Sequence, residues 1–493
     1  AYVETGGGTY YRNFTSARVG GQMGKDAAYR VYGKWFDYGR GELPTGDAND
    51  SWRQARGGVR LDWNVGSDDV ITFQGDYYDG INGETNLSAQ LTPPYYNLSA
   101  RQVQVSGGNA LINWRRKLGD QSDWALKVYY DHTTRNWWNA YQEDRGTFDV
   151  DFQHRFPVGM AHDLIWGCEY RNTRDTIKND PPIIELNPSR RSDHLYSCFV
   201  QDQIALREDL LYLTVGSKFE HNDYTGFEYQ PSIRLLWTPD DKYSCWSSIS
   251  RAVKTPARAE ADVNTLLPAI GTVPGSDPPV PIFPYIEPNP NPLSEELIAY
   301  EAGVRGQSSE AFAWDLAIFF NDYQKVSVPV PGQLSPSPWG QIIPTVERSA
   351  LAGHTYGFEL ASTYKLTERW RLQAAYTFLV MALRPIAGTI LDESMEGVSP
   401  RNLFYLQSSW DLGRNWELDW IWRYSDSIRQ FEVPGYIVAD IRLAWRARRN
   451  LELAVVGRNL FNGSFYQFGS DTFLGSQATQ VRPEAYGQLV WRY

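Results

Sequence analysis

Cysteine and methionine are scarce in this chain, with three and four copies in 493 residues. No apolar run approaches the roughly 18 residues that a membrane-spanning helix requires. Cys168, Cys198 and Cys245 are too few for a disulfide framework and lack the spacing of metal ligands. Cys168 and Cys198 fall at similar heights on two strands expected to pair, which makes a cross-strand bridge conceivable. The six histidines (His132, His154, His162, His194, His221, His354) are scattered, with no pair at metal-ligand spacing. Gly6-Gly7-Gly8 is followed by no helix, so it is not a phosphate loop, and Ser-His-Asp combinations arise by chance in a chain this rich in Ser and Asp. No catalytic constellation emerges, and the chain reads as a non-enzyme without cofactor or metal. A deficit of basic residues, 47 Lys and Arg against 58 Asp and Glu, gives a net charge of −11 and argues against a nucleic-acid surface. The first residues, Ala1-Tyr2-Val3, include neither an initiator Met nor a signal peptide, as in a mature or trimmed chain.

What is present in quantity is aromatic. There are 19 Trp and 31 Tyr, yet the mean hydropathy is negative. A polar average with many aromatics fits a transmembrane β-barrel, whose lipid-facing and lumen-facing residues alternate between aromatic girdles. It also fits a large soluble all-β protein such as a propeller. The segment 210–251 shows the repeating unit. Leu211, Leu213, Val215 and Phe219 share one face of a first run, and Ile233, Leu235 and Trp237 one face of a second. That period of two marks strands with one apolar side. Trp416, Leu418, Trp420, Trp422 and Tyr424 repeat it opposite Glu417, Asp419 and Arg423, as do Ile437 to Trp445 opposite Asp440 and Arg442. Trp and Tyr cluster near strand ends, where amphipathic rings suit a headgroup layer. Counted along the chain, such runs number about 22, an even number as a closed single-chain barrel requires.

The connections discriminate between the alternatives. Every second one is a tight turn, such as Pro239-Asp240-Asp241 or Gly413-Arg414-Asn415, and those between are mostly long: 82–100, 174–191, 252–295, 327–352, 381–400 and 461–479. Strict alternation puts all long connections on one rim, as in outer-membrane barrels with short periplasmic turns and long extracellular loops. A propeller would carry a blade-length sequence repeat, and none is found. The fold class expected is all-β, a transmembrane antiparallel β-barrel.

A series of short motifs then points to a family. Phe199-Val200-Gln201-Asp202-Gln203-Ile204, Gln230-Pro231-Ser232-Ile233-Arg234, 248–256, 291–305, 315–323, Tyr356-Gly357-Phe358-Glu359, Pro400-Arg401-Asn402 and 457–462 occur in order along the chain. In that order and spacing the chain resembles the barrel of TonB-dependent outer-membrane receptors over essentially its whole length (1–493). Leu489, Trp491 and Tyr493 resemble the C-terminal assembly signal of such barrels, although Gly487 lies one position off register. The resemblance implies an N-terminal plug domain with a segment contacting a TonB-type energy-transducing protein. Ala1–Gly8 resembles the first barrel strand, so the chain begins where a plug would have ended. It also implies energy-coupled uptake of a scarce nutrient, such as a siderophore-iron complex or cobalamin, by a monomer in the cell outer membrane. The alternative is a passive wide pore or a surface-binding barrel without active transport.

Candidate ligand contacts lie in the long connections. Segment 82–100 carries Tyr95 and Tyr96, and 134–146 carries Arg135, Trp137, Trp138 and Tyr141. The Pro-rich 252–295 presents Phe283 and Tyr285, and 327–352 holds Trp339 and Arg348. Aromatics on stiffened loops give contact area at little entropic cost, which suits a bulky small-molecule ligand. Packing of loop against loop is the competing role. Arg234, Lys218, Glu220, Asp419, Arg423, Asp440, Arg442 and Arg458 are expected to face the lumen and to meet plug side chains there.

Overall fold

The computed structural model describes residues 1–137, 141–386, 396–470 and 475–493. Period-two segments become strands because only pairing satisfies every backbone donor and acceptor along them. The first six barrel strands are β1 (Tyr2–Gly8), β2 (Tyr11–Met23), β3 (Ala27–Tyr38), β4 (Trp52–Val65), β5 (Asp69–Ala89) and β6 (Tyr96–Lys117). Next come β7 (Asp123–Trp137), β8 (Tyr141–Val158), β9 (His162–Lys178), β10 (Arg190–Arg207), β11 (Leu211–Asn222) and β12 (Gly226–Asp240). They continue as β13 (Tyr243–Lys254), β14 (Glu295–Ser309), β15 (Phe312–Pro331), β16 (Gly340–Thr367) and β17 (Trp370–Pro385). The last are β18 (Asn402–Gly413), β19 (Trp416–Ser425), β20 (Tyr436–Arg448), β21 (Leu451–Leu460) and β22 (Glu484–Arg492). Each pairs antiparallel with its sequence neighbour, and β1 pairs β22 from Tyr2 opposite Arg492 to Gly8 opposite Tyr486. The sheet is therefore a closed 22-strand antiparallel barrel.

Its two faces differ as the alternation predicts. Outward positions include Val31, Trp63, Phe73, Ile112, Trp166, Val200, Ile233, Ile318, Leu360, Trp420, Leu443 and Val455, all exposed although apolar. Such a continuous apolar belt has no place against water. Inward positions are polar, and several inward glycines are roofed by a ring from the next strand. A Cβ on Gly303 would lie 2.5 Å from the Trp246 indole, so any larger residue there would force that ring to move. Asn459, the last but one residue of β21, has a φ of 54°, the left-handed backbone that Asn tolerates better than most side chains.

The long connections are shorter, and the strands longer, than the sequence predicts. β5 and β6 run as a continuous hairpin through most of 82–100, and β7 with β8 through most of 134–146. β15 and β16 likewise extend through 327–352. Polar residues appear there on both faces because both meet water, so the apolar alternation that marks a strand disappears while the backbone pairing continues. Cys168 lies directly opposite Cys198 as expected, and both are free thiols.

Two measurements check this arrangement. Trp420 sits mid-belt, whereas Gln407 lies in the adjacent strand on the inner face. Trp420→Arg should cost about 2–4 kcal/mol of barrel stability in a lipid refolding titration, and Gln407→Arg well under half of that. Equal costs would place both on the same face. In a chain with the native cysteines replaced by serine, Asp277→Cys should label on intact cells with an impermeant thiol reagent and Asp241→Cys should not. The reverse pattern would invert the topology.

Candidate functional site

The residues after β13 do not form an open loop. They build a small sheet across the mouth of the barrel. A one-turn helix α1 (Arg258–Asp262) leads into a strand at Val263–Leu266, which pairs with Ile184–Leu186 on one side and with Pro281–Glu287 on the other. Pro281–Glu287 in turn runs parallel to Gln341–Val346 of β16. Two apolar cores hold this lid down. One gathers Ile177, Leu186, Val263 and Ile286, with Tyr141 packed against it. The other gathers Ala89, Leu266 and Phe283, with Tyr95, Tyr285 and Trp339 around them.

An ionic cluster pins the same lid from beneath. Arg258, 6% exposed, contacts the equally buried Asp175 of β9, bonds Asp262 at 3.2 Å and donates to the Pro188 carbonyl. Asp262 also takes Arg191 of β10 at 2.9 Å, and Arg191 bonds Asp193 and lies 4.2 Å over the Tyr224 ring. Burial pulls the Arg258 guanidinium below its ordinary pKa, and the Asp262 carboxylate opposes that shift. Burial likewise raises Glu347, whose neighbour Glu260 adds to the effect, so this carboxyl favours its neutral form more than an exposed one would. The Arg258–Asp262 spacing of four residues is readable in Arg-Ala-Glu-Ala-Asp, but its buried partner 83 positions upstream, Asp175, is not.

The sequence-predicted contact residues divide accordingly. Phe283 is 0% exposed, and Tyr95, Tyr141, Tyr285 and Trp339 are packed into the two cores, so in this conformation they hold the lid together. Trp137 donates its indole N–H to Glu84 at 2.7 Å, and Arg135 pairs with the other Glu84 oxygen at 3.0 Å while lying over the Trp137 ring. Tyr96 and Arg348 are exposed. Trp138 lies outside the described residues. Between the lid and the β5–β6 hairpin is a cavity of about 250 Å³, lined by Asn86, Ser88, Arg101, Trp137, Asp180 and Thr265 among others. Asn86 Oδ1 and Thr265 Oγ1 are buried there without a hydrogen-bond partner. Unpaired buried polar atoms at a cavity wall are the groups a ligand or water would satisfy.

The lumen also departs from expectation. The charges expected to await a plug pair among themselves: Lys218 with Glu220 at 3.0 Å, Arg423 with Asp440 at 2.8 Å, and Arg442 with Asp419 at 3.1 Å and Glu452 at 2.5 Å. Arg458 lies 3.6 Å from Glu484, and Arg234 rests over the Trp246 ring. One sector differs. On β2 to β4 the inward residues include Arg18, Arg30, Lys34, Arg56 and Arg60, with Arg30 directly opposite Arg60 and Lys34 opposite Arg56. Arg60 is bonded to Asp62 at 2.8 Å, and Glu4 nearby accepts from Ser16 and Gln488. Among the described residues, no carboxylate lies within ion-pairing distance of Arg18, Arg30, Lys34 or Arg56. Arg18, Lys34 and Arg56 rest over aromatic rings instead. Like charges facing one another across a strand pair are destabilising unless an anion lies between them. The period of two places all five on one face, so this wall is legible in the sequence.

Arg258 supplies a test of the lid. Arg258→Met leaves the buried Asp175 with only the longer Arg145 contact at 3.6 Å, a loss of up to about 3–5 kcal/mol, the scale of breaking such a buried pair. We expect protease cleavage within 267–280 to accelerate while barrel unfolding in lipid is unchanged. Cleavage at the wild-type rate would show that the ionic cluster does not hold the lid.

A family model described as "TonB dependent receptor-like, beta-barrel" matches residues 3–460. No curated protein sequence matches. Among solved structures, the siderophore receptor PirA from Pseudomonas aeruginosa superposes with a TM-score of 0.73 at 16% identity, covering 99% of this chain and 79% of that one. A ferric enterobactin receptor (PfeA) mutant from Pseudomonas aeruginosa gives 0.77 at 15% identity, covering 100% and 80%. The copper transporter OprC gives 0.74 at 13% identity, covering 100% and 82%. At these identities the structures share the fold, and the family match carries the assignment: the chain belongs to the TonB-dependent receptors of the outer membrane, of which it forms the β-barrel.

Proposed function

We propose that this barrel is the translocating part of a receptor for a scarce small-molecule nutrient that crosses the outer membrane as an anionic complex. A siderophore-iron complex is the leading candidate within that class, ahead of cobalamin. The supporting observation is the basic wall on β2 to β4, where Arg18, Arg30, Lys34 and Arg56 face the lumen without carboxylate partners, whereas charges such as Lys218 with Glu220 and Arg442 with Asp419 pair elsewhere in the lumen. A low-dielectric tube lined on one side by unneutralised cations concentrates anions and repels cations. Capture takes place at the mouth, where Tyr96 and Arg348 are exposed and Asn86 and Thr265 line the cavity under the lid. Energy comes from a TonB-type protein acting on the N-terminal part that such receptors carry, and the receptor works as a monomer.

Cells lacking their own iron receptors and producing the full-length protein provide the test. Uptake of labelled ferric complexes of graded charge should be saturable, abolished by an uncoupler, and faster for the anionic members. The combined Arg30→Gln, Lys34→Gln, Arg56→Gln variant should slow anionic uptake roughly tenfold, the lower end of such focusing effects. Uptake that rises linearly with concentration and ignores the uncoupler would identify a passive pore instead.

A further inference from the structure

Three cysteines are spread over 493 residues, yet two of them share one rung of the barrel. Cys168 of β9 lies directly opposite Cys198 of β10, both are exposed on the outward face, and their thiols interact with each other. The outward rungs to either side are aromatic or aliphatic, Trp166 opposite Val200 and Tyr170 opposite Tyr196. Across the strands the same rung continues to Phe152 of β8 and Phe219 of β11. Along β9 the outward positions run His162, Leu164, Trp166, Cys168, Tyr170 and Asn172. The pair therefore stands within the apolar belt, with polar residues only at its two ends.

Directly opposite residues of an antiparallel pair have Cα atoms about 4.5 or 5.5 Å apart, depending on whether they exchange hydrogen bonds. Both separations fall inside the range of about 4.4–6.8 Å that a disulfide spans, so the bond can close with little backbone movement. Cys245 supplies the contrast. It sits on β13 opposite Trp237 and Val304, with β11 and β12 between it and β10, and no other cysteine lies on a neighbouring strand.

We propose that Cys168 and Cys198 are a modification site, oxidised to a cross-strand disulfide by exchange with a periplasmic disulfide before the barrel enters the membrane. The periplasm is an oxidising compartment in which such bonds form and persist. One cysteine, as its thiolate, attacks a sulfur of the donor disulfide, forms a mixed disulfide and releases the donor's other sulfur as a thiol. The second cysteine then attacks its partner's sulfur in the mixed disulfide, and the rest of the donor leaves as a thiol. Two electrons and two protons pass from the cysteine pair to the donor. Position sets the order of events. Exchange runs through a charged thiolate, which hydrocarbon excludes, so the pair reacts while the β9–β10 hairpin is still in water. For the same reason the finished bond is sheltered from aqueous reductants. It fixes the register of the two strands that anchor the lid, β9 through Asp175 to Arg258 and β10 through Arg191 to Asp262.

The test uses the complete protein isolated from outer membranes, denatured without reductant and treated with iodoacetamide, each cysteine being read by peptide mass. Cys245 should be alkylated. Cys168 and Cys198 should resist alkylation until dithiothreitol is added, and before that their peptides should appear as one linked species. Protein reduced while denatured and then refolded into lipid vesicles should not regain the bond when oxidised glutathione is added outside. The variants C168S, C198S and C168S/C198S should lower the temperature of heat unfolding in detergent by the same amount, since each removes the same bond. Full alkylation of Cys168 and Cys198 in the unreduced protein would overturn the proposal, and so would linkage of either one to Cys245. Closure of the bond in the inserted barrel would overturn the order of events. Losses that add across the two positions would mark ordinary packing and overturn the role in fixing register.

Discussion

Closure of the sheet is the constraint on which everything else rests. In a hydrocarbon layer an unpaired backbone N–H or C=O costs several kcal/mol, so a β-structure survives there only with no edge. Here the first and last strands meet. β1 pairs β22 along seven residue pairs, and the Ala1 amine reaches the Tyr493 carbonyl at 3.2 Å. Gly6, Gly7 and Gly8, which in isolation resemble a break, lie in this seam, where a Cβ on Gly8 would meet the Ala485 carbonyl. Once the seam is closed, each residue has only two directions to face, and the chemistry of the protein becomes a division between lipid and lumen.

Beyond the belt that division lapses, and the chain uses the freedom to build the lid. Hairpins β5–β6 and β15–β16 continue their ladders past the membrane and supply Ala89, Tyr95, Trp339 and Ile342 to one shared core with Leu266 and Phe283. The covering segment adds no long element of its own. Its longest strand, Pro281–Glu287, borrows β16 as a parallel partner. A lid held by two small cores and one buried ionic cluster can open without disturbing the barrel ladders, which is the separation of stabilities that a gated mouth needs.

What a sequence reveals of such a molecule follows from the same physics. The strands are legible because one face of each meets hydrocarbon, and that contact imposes the apolar alternation seen from Trp416 to Tyr424. Strand ends are not, since alternation fades where both faces are wet although pairing continues to Ala89 or Trp137. Aromatics in the connections stand out, but their role does not. Phe283 and Trp339 look like ligand contacts because nothing local distinguishes a loop aromatic packed on a distant hairpin from one facing solvent. Asp175 is likewise invisible as an anchor, since its partner Arg258 is supplied by a different connection. The lumenal charges can be assigned to the correct face, yet not to their partners. Asp419 and Arg442 face each other across β19 and β20, and register of that kind shows only once the strands are paired.

The distribution of unpaired charge is therefore informative in a way the total is not. A net charge of −11 predicts an acidic molecule, but acids and bases in most of the lumen cancel at contact distance. Among the described residues, cations without a carboxylate partner are most concentrated on the inner wall of β2 to β4, and Lys365 opposite Arg371 is a smaller instance beside a tight turn. At the inner wall, Arg30 with Arg60 and Lys34 with Arg56 repel across adjacent strands, and the barrel gains nothing structurally from that placement. Self-repulsion retained on that wall, in a lumen where many other charges meet a partner at contact distance, is what an anion from outside the chain, passing through the barrel, would relieve.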